Sequence, residues 1–100
     1  MLHAEQYEEM WEFVRADGQT AEILRTGGDV EVSEYPRGSR QPVTRTDHDG
    51  IAPADLPALM WNLIGALTMD GYKLWCHDGD ELPELRPTLM TLLGHVGAGA

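Results

Sequence analysis

The chain is expected to fold as a small single α+β domain, an antiparallel sheet of three to four strands packed by a central helix (about 55–70) and a C-terminal helix (about 87–96). Three observations predict this. Leu56, Leu59, Met60, Leu63, Ile64 and Leu67 recur at helical period. Asp29–Tyr35 alternates polar and apolar residues, as a strand with one wet face does. A 42% hydrophobic content with three tryptophans in 100 residues sets the chain apart from an acidic disordered segment. This length holds one domain with an ordinary core. The domain is expected to run over 1–96, with Gly97-Ala98-Gly99-Ala100 a frayed tail that has nothing to bury.

The elements follow in order. Tyr7, Met10, Trp11 and Val14 sit at helical spacing, and Glu5, Gln6, Glu8 and Glu9 are good helix formers. A helix is therefore expected early, with a strand from about residue 10 into Asp17-Gly18 as the alternative. Gly27-Gly28 before the Asp29–Tyr35 strand reads as a turn, which makes Thr20–Arg25 its hairpin partner. Residues 35–46 then read as a long connector. In the central helix Asp55 suits the N-cap, Pro57 the first turn and Gly71 the left-handed C′ position. Leu59, Leu63 and Leu67 are expected at the centre of its buried stripe. Tyr72–His77 is dense in aromatic and apolar residues and reads as a strand closed by Asp78-Gly79-Asp80, with Leu74 and Trp75 on opposite faces. Pro87 opens the last helix, where Leu89, Leu92, Leu93 and Val96 share a face.

Charge is distributed unevenly. Seventeen acids against seven bases give a net of −10, yet Tyr35–Thr46 holds Arg37, Arg40 and Arg45 and no acid. So acidic a body repels nucleic acid and anionic membranes at long range and favours basic protein partners. The one cysteine, Cys76, excludes an internal disulfide framework and points to a reducing compartment. The N-terminal residues lack the basic and apolar runs of a signal peptide, and the apolar window Leu56–Met69 is too short to span a bilayer. A cytoplasmic location is expected.

Candidate chemistry is sparse. His48 and His77 lie in Asp47-His48-Asp49-Gly50 and Cys76-His77-Asp78-Gly79, and imidazole, thiolate and carboxylate all ligate metals. Neither tetrapeptide supplies two ligands at a chelating spacing, and Asx-Gly turns explain both. A nucleophilic Cys76 would need His48 or His95 close in space, because its neighbour His77 points to the other side of a strand. Asp78, Asp80, Glu81 and Glu84 close no calcium loop and read as a solvated turn before a helix. Gly27-Gly28-Asp29 precedes a strand, the wrong context for a phosphate cradle, and neither Ser33 nor Ser39 sits on a nucleophile elbow.

The expected function is therefore a non-enzymatic acidic protein-binding module, of the regulator, immunity or inhibitor type, acting on a basic partner surface. Partner contact is assigned to Arg37, Arg40 and Arg45 of the basic stretch, to Glu31 and Glu34 on the polar side of their strand, and to Trp75. Guanidinium forks in a loop suit carboxylates or phosphates, and tryptophan anchors interfaces. No cofactor or metal, no direct nucleic-acid binding and no membrane contact are expected. A homodimer is expected from the outward residue of the Leu74/Trp75 pair and from open sheet edges. Two alternatives remain: a small-ligand or metal-dependent enzyme around His48, Cys76 and His77, and an inhibitor whose acids imitate nucleic-acid phosphate.

Overall fold

A computed structural model describes residues 7–98 of the chain, with side chains as far as Gly94. Its elements are β1 (Glu9–Val14), β2 (Thr20–Thr26), β3 (Asp29–Tyr35), β4 (Thr44–His48), α1 (Leu56–Met69), β5 (Lys73–Gly79), a 3₁₀ turn (Pro83–Leu85) and α2 (Arg86–Ala98). The fold is α+β, but the sheet has five strands where three to four were expected. They are ordered β4-β3-β2-β1-β5 and every neighbouring pair is antiparallel. β1 to β4 form a meander. Because β4 and β5 lie at opposite edges, α1 must carry the chain across one face of the sheet.

At β1 the structure takes the alternative reading: residues 9–14 form a strand and not the expected helix, because they sit between β2 and β5 and bond to both. Trp11, Phe13 and Glu9 then share one face, all fully buried. Two ladders and a buried tryptophan outweigh the local helix preference of the flanking glutamates, of which Glu5 lies outside the described residues. The second departure is β4, which begins within the expected connector, runs past its end to His48, and leaves a loop of residues 36–43.

Leu24 is buried on one face of the sheet, while the clustered core residues of the sheet lie on the other, the inner one. Trp11, Phe13, Ala21, Ile23, Val30 and Leu74 pack there against Leu56, Met60, Ile64 and Leu67 of α1 and against Leu85 and Leu89. The buried line of α1 is thus rotated from the expected one, since Leu59 and Leu63 are only partly buried and flank it. Asp55 occupies the N-cap position, although its carboxylate makes no capping bond. At the other end Gly71 takes φ +93°, and the Gly71 and Tyr72 amides donate to Thr68 and Leu67 carbonyls at 3.1 and 3.0 Å. This is a Schellman closure, and it turns the chain directly into β5. α2 begins at Arg86 and runs to Ala98, past the expected boundary at 96. The side chains of His95 and Val96, and residues 99 and 100, lie outside the described residues.

Candidate functional site

Both helices cover the inner face, and among the described residues no helix or strand packs on the outer face, although Leu24 and Ser33 are buried there. Alternation decides which side chains stand there. Glu9, Trp11 and Phe13 point inward, so Met10, Glu12 and Val14 point outward, and the register carries this phase across the sheet. The acids of the outer face are Glu12, Glu22, Asp29, Glu31, Asp47 and Asp78, against Arg45 and Lys73, among the described residues.

A β-bulge gives this face its main apolar feature. The β1–β5 register shifts between Glu12 and Phe13, so that Glu12 faces Cys76 and Phe13 faces Leu74, with Trp75 as the extra residue. Bulges re-aim side chains in this way. Leu74 is buried in the core, while Trp75 is 65% exposed on the outer side. Trp75 walls a depression of about 240 Å³ with Val14, Thr20 and Glu12. Beyond Leu24, towards β4, lies a second depression of about 360 Å³, edged by Tyr7, Asp29, Glu31, Arg45 and Asp47.

The electrostatics of the face are consistent from end to end. Tyr7 donates its hydroxyl to Asp78, and this bond pushes the phenol up to about 12. Burial, with the neighbouring Glu12 carboxylate, raises the Cys76 thiol, whose Sγ lies 3.5 Å from Glu12 Oε1. Tyr35 is raised by burial and by Glu22. Each group resists becoming an anion, as it must among carboxylates. Cys76 is therefore held as a thiol, the opposite of what nucleophilic cysteines require.

Of the residues expected to contact a partner, Glu31, Arg45 and Trp75 share the outer face. Arg45 is on β4, not in the loop, and its guanidinium reaches Glu31 at 3.2 Å and Asp47 at 3.5 Å. Glu31 also accepts a bond from Ser33 Oγ at 3.4 Å. Glu34 is a correction. Three positions along a strand reverse the face, and Glu34 points inward, where Tyr72 Oη and Thr44 Oγ1 donate to its carboxylate at 2.8 and 2.9 Å. Arg37 and Arg40 remain in the β3–β4 loop and are exposed. The stem of Arg37 lies against Gly18, where a Cβ would fall 2.6 Å from Arg37 Cδ, so the loop is docked on the β1–β2 turn.

The alternative constellation does not assemble. His48 lies on edge strand β4 and His77 on edge strand β5, four strand spacings or about 19 Å apart. Cys76 faces outward and His77 inward. His77 instead belongs to a network absent from the sequence-based expectations. Glu9, 0% exposed, accepts from Arg25 Nε at 2.9 Å on one oxygen. Its other oxygen takes Trp11 Nε1 at 2.7 Å and meets His77 Nε2 at 2.9 Å. Arg25 completes its bonding with the Asp80 carbonyl at 2.8 Å and Glu8 at 3.3 Å. The sequence does carry a signal for it: Glu9 and Arg25 fall in phase with the apolar residues of their own strands, an acid and a base on the same inner face.

Comparison with known protein families, curated proteins and solved structures finds no match for this chain. Among the described residues no three His, Cys, Asp or Glu side chains are grouped to hold a metal, and no helix is long and apolar enough to cross a membrane.

Proposed function

We propose that this chain is a non-enzymatic protein-binding module whose outer sheet face docks a basic partner protein. The observation that carries this is the composition of the outer face: among the described residues, six acids against two bases, set around a 65% exposed tryptophan that a bulge turns outward. Exposed aromatic surface with a charged rim is the composition of a recognition patch. A sheet whose second face needed no partner would more simply present scattered polar residues there. The acidic field raises the local concentration of a cationic partner, and Trp75 supplies buried area on docking. Regulator, immunity or inhibitor roles all fit this physics, and a thiol held protonated suits a reducing cytoplasm.

Site-specific photo-crosslinking in host extract tests it. A crosslinker at Trp75 is expected to capture a basic protein that one at Met69, 91% exposed at the end of α1, does not. Glu22→Lys with Glu31→Lys should abolish that adduct. Equal capture from both positions, or adducts indifferent to the charge reversal, would count against the outer face.

A further inference from the structure

β4 ends the sheet, and among the described residues it pairs with β3 alone. The two-residue Gly27-Gly28 turn closes on Thr26 and Asp29. In such a hairpin the closing pair exchanges both backbone hydrogen bonds, and bonded and non-bonded pairs alternate from there. Glu31 and Ser33 therefore bond to β2, and Val30, Val32 and Glu34 bond to β4. Their partners on β4 are His48, Thr46 and Thr44. The backbone N–H and C=O of Arg45 and Asp47 are left pointing out of the sheet, at its free edge.

We infer that this edge pairs with β4 of a second copy, antiparallel about a two-fold axis at Thr46. In that register Arg45 of each copy stands opposite Asp47 of the other, and each such pair exchanges two backbone hydrogen bonds. Two cross-strand ion pairs form on the outer face, while Thr44 meets His48 of the second copy on the inner one. Sliding the register by two residues would set Arg45 opposite Arg45, or Asp47 opposite Asp47. Like charges in directly opposed positions are destabilising, so the charge pattern selects one register. Charges do not supply the drive, because Arg45 already reaches Asp47 of its own chain. The drive comes from four backbone hydrogen bonds and the cover they gain.

Charged residues on an edge usually discourage strand addition. Like charges do so in every register, whereas an arginine and an aspartate two residues apart are self-complementary in one. The two-fold axis runs perpendicular to the sheet, so both outer faces lie on the same side. The product is one ten-stranded sheet with a continuous acidic face. This holds whatever that face binds.

Sedimentation equilibrium on the full chain, over a wide concentration range, is the test. Wild type is expected to approach twice its 11.1 kDa mass. Arg45→Asp and Asp47→Arg, both at exposed positions, should each raise the midpoint concentration by about tenfold or more, since two opposite-charge pairs become like-charge pairs. An equimolar mixture of the two variants should recover the dimer, because the new aspartates face the new arginines. That recovery also shows that both variants are folded. A monomer at every concentration, a dimer that ignores both substitutions, or no recovery on mixing would each overturn the proposal.

Discussion

Glu31 and Glu34 are three residues apart on one strand, and the two faces of the sheet give them different work. On the inner face each carboxylate is saturated by donors that the fold brings to it. Glu34 takes Tyr72 and Thr44, and Glu9 takes Arg25, Trp11 and His77. On the outer face the acids crowd one another around two bases; the bond to Asp78 raises the Tyr7 phenol to about 12, and burial together with neighbouring acids raises Tyr35 and Cys76. The inner carboxylates therefore serve stability, whereas the outer ones stand at the surface, several of them in bonds to neighbours on the same face. Charge alone does not separate these roles; strand phase does.

The sharpest way to break this comparison is at Glu9. Glu9→Ala leaves the guanidinium of Arg25 buried beside nothing of opposite charge but the more distant Glu8. A loss of about 3–5 kcal/mol in a urea titration is expected. A loss under about 1 kcal/mol would mean that the inner network is no more demanding than a surface pair. Next comes the helix that covers this face. Ile64→Ala should lose about 2–5 kcal/mol, and Leu63→Ala distinctly less because Leu63 only flanks the buried line. Equal losses would restore the stripe centred on Leu59 and Leu63.

Alkaline titration sharpens the comparison further. Burial and the bond to Glu34 hold the Tyr72 phenol up at about 12, above its ordinary 10.0. A raised folded-state pKa contributes stability that is fully present below pH 10.0 and is lost as pH rises towards about 12. Tyr72→Phe should flatten that decline, and the phenolate absorbance missing from Tyr72→Phe relative to wild type should be the part that appears last, towards about 12. A difference between the two titrations centred at the ordinary 10.0 would contradict the bond to Glu34. The smallest effect is expected outside. Glu22→Lys with Glu31→Lys should change stability by no more than about 0.5–1 kcal/mol. A larger loss would make the outer acids structural.

Much of the fold was legible because burial leaves a period in the residues. α1 and β3 announce themselves by their spacing, and Gly71 by its place after Asp70. β1 was legible only as one of two readings, since Tyr7, Met10, Trp11 and Val14 satisfy a helical spacing while the run into Asp17-Gly18 suits a hairpin arm, and pairing with both β2 and β5 decides for the strand. β4 was hidden for the opposite reason. Thr44-Arg45-Thr46-Asp47-His48 buries almost nothing, so it has no apolar rhythm to read. The outer-face residues Glu31, Arg45 and Trp75 were found from charge and aromatic content. Charge alone does not distinguish Glu34 from Glu31, which strand phase puts on opposite faces, and the Glu9–Arg25–His77 network joins residues far apart in sequence.

An outer face that draws a basic partner through its field must do so in a salt-dependent way. The measurement that tests it most directly is the association rate of the crosslinked partner with this chain as ionic strength rises. Between about 0.01 M and about 1 M salt the Debye length shrinks from about 30 Å to about 3 Å. The on-rate should fall steeply over that range while the off-rate changes little. Glu22→Lys with Glu31→Lys should flatten the dependence, and reversing Arg37 and Arg40 should leave it unchanged or raise the rate. An on-rate independent of salt, or one that the outer-face reversal does not touch, would contradict the account.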